Sequence, residues 1–214
     1  MLMSRVMIVT TLVAAGLLAA ACDDNNQPPD GPTPRTFTIT ATASLDGSVS
    51  NTGTVLTAGG GPFTGDLDAF LAGLAFRQFY SFDLSSLPAN ADIDTATLKL
   101  YQASVAGTPY ISLGNVIVDH VNYGANLSAN AYDQIAITSN IGILSTTGVI
   151  EYKTLAVTTA VKTDLSVGRT RSQFRLRTSI QDADTDGTSD NASFSDAEQS
   201  CCLGQPPQLV IVIR

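Results

Sequence analysis

Short segments in which apolar and polar residues alternate are the feature of this chain that most limits its fold. In residues 77–84 the side chains of Tyr80 and Phe82 share one face, and those of Phe79 and Ser81 share the other. Successive side chains of a β-strand point to opposite faces of a sheet, so this pattern indicates a strand. Eight segments read as strands, and they are residues 37–43, 77–84, 95–101, 116–121, 135–138, 148–155, 172–178 and 208–213.

Turn-forming residues separate these segments, for example at Gly47 and in the glycine and proline run 59–62. Many short strands with such turns predict an all-β fold, an antiparallel β-sandwich of the jelly-roll or Greek-key type. One segment departs from the pattern, because Val161 and Leu165 lie four residues apart within residues 158–167. We expect one short helix there.

The N-terminal segment has the order of an export signal. Arg5 precedes a largely apolar run, residues 6–21, which ends in small residues followed by Cys22. The run resembles a bacterial lipoprotein signal, in which the cysteine is lipidated and becomes the mature N-terminus. As a helix it would extend about 24 Å, short of a bilayer core of roughly 30 Å, which favours cleavage over an uncleaved membrane span. We therefore predict a signal peptide at residues 1–21 and an acylated Cys22.

Residues 22–36 follow as a tether, because after Cys22 this stretch is rich in Pro, Asn and Asp and carries no apolar residue before Phe37. Such a composition cannot form a packed core. Residues 37–214 then form a single β-sandwich domain. The predicted location is the cell envelope, where the acyl chains of Cys22 anchor the protein to the lipid bilayer of a bacterial membrane on its exported side.

Charge excludes one class of partner. The chain has 11 Lys and Arg against 19 Asp and Glu, a formal net charge of −8. Proteins that bind nucleic acid need a basic surface, so we expect no nucleic-acid partner.

Two adjacent stretches resemble a known family. Residues 77–88 read RQFYSFDLSSLP and residues 91–101 read ADIDTATLKLY, and Pro207-Gln208-Leu209 precedes the last strand. These runs resemble the DNRLRE-type module, a jelly-roll β-sandwich on secreted polysaccharide-degrading proteins of bacteria and archaea. Some members of that family are classed as carbohydrate-binding modules for alginate-like polymers. The resemblance implies a sandwich fold and a polysaccharide ligand.

An acidic segment predicts a metal site. Asp182, Asp184, Asp186 and Asp190 stand at nearly alternate positions, a spacing with which carboxylates can surround one hard cation such as calcium. The segment departs from the EF-hand loop, since Ser193 stands where that loop has a bidentate glutamate. The alternative is a solvated acidic turn. If calcium binds, we expect a structural role.

Three arginines are candidates for ligand contact. Arg171, Arg175 and Arg177 fall on one face of the strand 172–178. Their guanidinium groups suit the carboxylates of a uronic-acid polymer. The alternative is pairing with the acidic residues of this chain itself.

Tyrosines near turns are the second kind of candidate. Tyr110, Tyr123 and Tyr132 lie close to predicted turns, where an aromatic face can stack on a sugar ring. The alternative is a position between core and solvent, with the hydroxyl in water.

The sequence offers little support for catalysis. His120 is the only histidine, and neither a Gly-x-Ser-x-Gly elbow nor a zinc-binding spacing is present. Cys201 and Cys202 are adjacent, which favours two free thiols over a vicinal disulfide. We therefore expect no enzyme but a non-catalytic module that binds an extracellular or cell-envelope polysaccharide. The alternative is a structural or adhesive envelope lipoprotein that contacts protein partners.

Overall fold

The computed structural model describes residues 33–57 and 62–214. The predicted signal peptide, Cys22, the tether as far as residue 32 and the glycines of the run 59–62 lie outside the described residues. Twelve strands are present in the described part, and they are β1 Arg35–Thr40, β2 Gly47–Ser50, β3 Val55–Leu56, β4 Phe63–Asp66, β5 Ala75–Asp83, β6 Ile93–Ala106, β7 Val116–Val121, β8 Thr138–Ser145, β9 Tyr152–Ala156, β10 Arg171–Thr178, β11 Asn191–Phe194 and β12 Gln208–Ile213. Two α-helices accompany them, α1 Pro109–Ser112 and α2 Thr158–Ser166.

The strands form two antiparallel layers that share β6. Its first part pairs with β12 and β9, and β12 also pairs with β1. From Gln102 onward β6 instead pairs with β11, and the order of neighbouring strands in this layer is β6, β11, β4, β5, β10, β7 and β8. Because β6 is 14 residues long, one strand crosses from one layer to the other.

The core lies between the layers and is built from the alternating apolar residues. Tyr80 and Phe82 from β5 pack with Phe174 from β10, and these three side chains are fully buried. On the opposite face of β5, Phe79 forms a smaller cluster with Val49 and with residues of the segment 122–137. We call this segment, which connects β7 to β8, the cover loop. From the alternation pattern alone this sheet face would be exposed to solvent, but the cover loop buries it.

The predicted all-β sandwich with one short helix is confirmed, and helix α2 ends one residue before the predicted boundary. Gly47, predicted as a turn, instead begins β2, which pairs with β5. Glycine is required there because a Cβ would lie 2.1 Å from the carbonyl oxygen of Leu56 on β3. The predicted strand 135–138 is displaced, as β8 begins at Thr138. No described helix has the length and apolar character that a membrane crossing requires.

Two further boundaries differ from expectation. Strand β1 begins at Arg35, two residues inside the predicted tether. Cys201 and Cys202 are joined as a vicinal disulfide rather than held as free thiols. The pair lies in a turn in which the Cys202 N–H donates to Gln199 and the Gln205 N–H donates to Cys202.

Candidate functional site

Two loops bring carboxylates together at one end of the sandwich. One is residues 67–74, the β4–β5 loop, and the other is residues 179–190 between β10 and β11, which we call the acidic loop. Asp66, Asp68 and Asp184 each place a carboxylate oxygen within 4.8 Å of the other two. Asp184, Asp186 and Asp190 do the same. Asp184 belongs to both groups, so five carboxylates form one continuous acidic cluster.

Backbone pairing fixes the buried part of this cluster. Asp66 ends β4, its N–H donates to the Asp190 carbonyl at 2.8 Å, and its Oδ1 accepts from the Asp190 N–H at 2.8 Å. The carboxylate of Asp190 accepts hydrogen bonds from the Thr108 N–H and, at 2.6 Å, from the Ser112 hydroxyl. Asp190 is therefore held by the segment that follows β6 as well as by β4.

Local turns orient the remaining members. Asp68 Oδ1 accepts from the Gly73 N–H at 2.6 Å, which closes the β4–β5 loop. In the acidic loop, Asp184 Oδ1 accepts from the Asp186 N–H at 3.2 Å, and Asp186 Oδ1 accepts from the Thr188 N–H at 2.6 Å. Each of these carboxylates keeps its second oxygen free of such a turn contact.

The cluster has a strongly negative environment. No Lys or Arg of the described chain lies within 4 Å of any of its five carboxylates. Burial raises the pKa of Asp66, and the nearby charge of Asp68 raises it further. The hydrogen bonds that Asp66 accepts from backbone N–H groups lower this pKa in part. Oxygen ligands with no basic partner suit a hard divalent cation.

Asp182, the first residue of the predicted calcium set, lies outside the cluster. Its Oδ2 accepts from Arg77 Nη2 at 2.6 Å and Arg77 Nε at 3.0 Å, and it also accepts from the Tyr132 hydroxyl. A carboxylate engaged by a forked guanidinium is already neutralised. Asp66 and Asp68 take part where Asp182 does not. The Asp-x-Asp spacing of Asp66 and Asp68 repeats that of the acidic loop and is the signal that could have identified them.

The arginine stripe occupies the predicted face of β10, but the cover loop lies over most of it. Arg175 is 6% exposed, and its Nη2 pairs with Asp119 Oδ2 at 2.7 Å. Its Nη1 donates to the carbonyls of Tyr132 and Gln134 in the cover loop. Arg177 shares the same carboxylate at 3.0 Å. Arg175 therefore binds its own chain and has no free face for an external ligand.

The carboxylate between these arginines is correspondingly stabilised in its charged form. Burial alone raises the pKa of Asp119, but the Asn140 N–H and the guanidinium groups of Arg177 and Arg175 outweigh it and hold the pKa below its usual range. Asp119 on β7 thus forms buried ion pairs with both Arg175 and Arg177, and these pairs link β7 to β10.

Arg171, at the start of β10, is the member of the stripe that lines an open groove. The groove is about 340 Å³ in volume and is lined by residues 122, 124 and 125 of the cover loop and by residues 168–171 and 173. The side chains of Arg169 and Arg171 are 30% and 28% exposed. Arg171 Nη1 donates to the Thr42 hydroxyl at 2.9 Å, which orients the guanidinium, while its Nη2 lies 3.6 Å from Asp83 at the surface.

The three candidate tyrosines are held by their hydroxyl groups. Tyr110 donates to Gln102 at 2.5 Å, and Tyr123 donates to the Leu45 carbonyl at 2.6 Å. Tyr132 is 8% exposed, and the guanidinium of Arg77 lies 4.1 Å from its ring centroid. Each lies between core and surface, as the alternative predicted, but its hydroxyl is bonded within the protein and not placed in water, and Tyr132 has no open ring face.

His120 is buried and engaged. Its Nε2 lies 2.9 Å from both carboxylate oxygens of Asp164 on α2, which also accepts from the Ser172 hydroxyl at 2.7 Å and from Arg169 Nη1 at 2.9 Å. The ring borders a cavity of about 200 Å³ between β8 and α2. This network ties the helix to β7 and β10 and positions Arg169 at the groove.

Comparison with family models and with curated proteins identifies no relative of this chain. No family model matches the sequence, and no curated protein matches it. The resemblance of residues 77–101 to DNRLRE-type modules therefore stays a prediction that rests on the residues themselves.

Proposed function

We propose that the protein is a lipid-anchored, non-catalytic β-sandwich module that binds an acidic polysaccharide outside the cell or in the cell envelope. The observation that carries this proposal is the groove beside β10, in which Arg169 and Arg171 are both partly exposed. In an acidic protein, a ligand carboxylate binds more favourably in a cleft with two guanidinium groups than elsewhere on the surface.

The groove also has the polar lining that a sugar needs. The exposed Asn122 contributes an amide group, and the main chain at Gly124 and Gly168 allows close approach because neither carries a side chain. Gln173 lines the groove with an amide that is engaged by its own chain, since its Oε1 accepts from the N–H groups of Tyr123 and Gly124 and its Nε2 donates to the Gly124 carbonyl. These contacts fix the main chain of the groove at Gly124. Hydrogen-bonding groups that are fixed before binding reduce the entropy cost of association.

The test is calorimetric titration of the full-length protein with a short oligouronate and with a neutral oligoglucan. We expect binding of the oligouronate alone, and a roughly ten- to hundred-fold weaker affinity in Arg171→Gln, because a hydrogen bond to a charged group is lost. Arg177→Gln is the matched control, since Arg177 is on the same strand and face but does not line the groove. Equal affinity in wild type and Arg171→Gln would contradict the site.

We further propose that calcium stabilises the module through Asp184, Asp186 and Asp190 of the acidic loop. With a typical extracellular affinity of about 0.1 mM, about 2 mM calcium would add roughly 1.8 kcal/mol to the free energy of unfolding. For a domain of this size that corresponds to about 4–7 °C in Tm. Melting with calcium and with chelator measures it, and Asp186→Asn should remove the part of the difference that this site contributes.

The second candidate is a structural or adhesive envelope protein. It is favoured by exposed apolar side chains on the β4–β5 loop, where Phe70 is 84% and Leu71 is 52% exposed. Exposed apolar groups in a cluster indicate a contact surface. A folded protein that binds no oligosaccharide, and whose interaction with other envelope proteins is lost in Phe70→Ser, would support this candidate over the first.

A further inference from the structure

The inner part of the acidic cluster has features that a solvated acidic turn does not have. Asp66 and Asp68 are 0% and 5% exposed, so neither carboxylate is in contact with bulk water. They come from β4 and the β4–β5 loop, whereas Asp184, which lies within 4.8 Å of both, comes from the acidic loop. The tertiary fold, and not local sequence, brings these three groups together.

Each of the two buried carboxylates has one oxygen without a partner. Oδ2 of Asp66 and Oδ2 of Asp68 are buried and accept no hydrogen bond from the described residues. Their Oδ1 atoms are both held, by the N–H groups of Asp190 and Gly73. Backbone contacts thus fix the carboxylates and leave one oxygen of each available to a ligand.

Two buried, adjacent carboxylates without a base are costly unless a positive charge is bound between them. Burying a charged group without a partner costs several kcal/mol. A single proton would neutralise one carboxylate but would leave Asp184 and the other buried group unpaired. A calcium ion accepts six to eight oxygen ligands at about 2.3–2.6 Å and satisfies all three carboxylates at once.

We propose that Asp66, Asp68 and Asp184 form an inner calcium site, distinct from the outer site of Asp184, Asp186 and Asp190. Asp184 bridges the two sites, so the cluster is a two-calcium centre. The inner ion joins the β4–β5 loop to the acidic loop, and the two loops are also linked by a hydrogen bond from the Ala69 N–H to the Ser189 hydroxyl at 3.3 Å.

Calorimetric titration of the chelator-treated full-length protein with calcium tests the proposal by stoichiometry. We expect two calcium ions per chain for wild type, and one each for Asp68→Asn and Asp186→Asn. Asparagine at position 68 keeps an oxygen to accept from the Gly73 N–H, so the loop turn is retained. Asp92→Asn is the control, because Asp92 is exposed and lies just before the start of β6. The cluster contacts the chain just after the other end of β6, and the 14 residues of this strand extend about 45 Å.

Hydrogen exchange of residues 67–74 gives an independent readout of the inner site. Calcium should slow exchange there in wild type and in Asp186→Asn, but not in Asp68→Asn. One ion per chain that is lost in Asp186→Asn and kept in Asp68→Asn would overturn the inner site while leaving the outer one. Binding of oligouronate at Arg171 is measured separately, so its failure and the failure of the two-calcium centre are distinguishable.

Discussion

Asp46 gives the sharpest prediction about stability. The carboxyl group follows the first 3₁₀ turn, is 0% exposed, and accepts at Oδ2 from the Ala197 N–H at 2.7 Å. Its Oδ1 is buried without a hydrogen-bond partner among the described residues. Burial raises the pKa of Asp46 to about 8, against the hydrogen bond from Ala197, and the charges of Glu198 and Asp196 add to the rise.

The sign of the pH dependence follows from this raised pKa. Between pH values near 3.8 and 8, the folded protein holds a proton on Asp46 that the unfolded chain has released. Stability from this group is therefore fully present below the unfolded pKa and is lost as the pH rises towards the folded one. The slope for one proton is about 1.4 kcal/mol per pH unit. From pH 5 to pH 7 the loss is on the order of 3 kcal/mol, or roughly 6–12 °C in Tm.

Asp46→Asn isolates this contribution. The amide oxygen still accepts from the Ala197 N–H, but the side chain no longer ionises. We expect the difference in unfolding free energy between pH 5 and pH 7 to be smaller in Asp46→Asn than in wild type by on the order of 3 kcal/mol. Burial also raises the pKa of Asp66, but both proteins retain that contribution.

The assay is urea unfolding at pH 5, 6 and 7 in the presence of chelator, which keeps calcium binding out of the comparison. Asp92→Asn, which changes an exposed carboxylate just before β6, should reproduce the wild-type pH dependence. The reasoning about Asp46 would be refuted by equal pH dependence in wild type and Asp46→Asn.

Three further changes and one control variant have defined outcomes. Arg175→Gln leaves the buried charge of Asp119 with only part of its compensation, so urea unfolding should show a loss of about 3–5 kcal/mol; a loss below about 1 kcal/mol would contradict the ion pair. Gly65→Ala combines a φ of +115° with a Cβ that would lie 2.3 Å from the Asp190 carbonyl oxygen, and should cost about 2–4 kcal/mol and weaken calcium binding. Gly204→Ala, with a φ of +80° and open space around the new Cβ, should cost only about 1 kcal/mol in the same assay. Cys22→Ser removes the proposed acylation site, so fractionation should move the protein from the membrane to the soluble exported fraction; persistence in the membrane would argue against the anchor.

Alternating aromatic residues made the central strands predictable. In β5, Tyr80 and Phe82 are in the main core and Phe79 is in the smaller cluster, as the two-residue period requires. The strands that the sequence did not reveal are short and poor in large apolar residues, such as β2 with the sequence GSVS and β4 with FTGD. Their position depends on pairing with β5, which a local pattern does not encode.

The acidic cluster could be predicted only in its local part. Asp184, Asp186 and Asp190 lie within one loop, so spacing brought them together correctly. Asp66 and Asp68 reach the cluster because β4 pairs with β11, a contact between distant parts of the chain. Asp182 had the right spacing but is drawn away by Arg77.

The arginine stripe shows the same limit. The period of β10 correctly places Arg171, Arg175 and Arg177 opposite Phe174. The sequence does not show that the cover loop folds over this face and takes Arg175 into the interior. Only tertiary structure distinguishes an arginine that binds its own carbonyls from one that lines a groove.

A glycan-array screen of the full-length protein in 2 mM calcium, repeated with chelator, tests the central claim most directly. We predict reproducible binding to glycans that carry uronic acids, loss of that binding in Arg171→Gln, and its retention in Arg177→Gln. The absence of binding to every neutral and acidic glycan, by a protein shown to be folded, would contradict the proposed function.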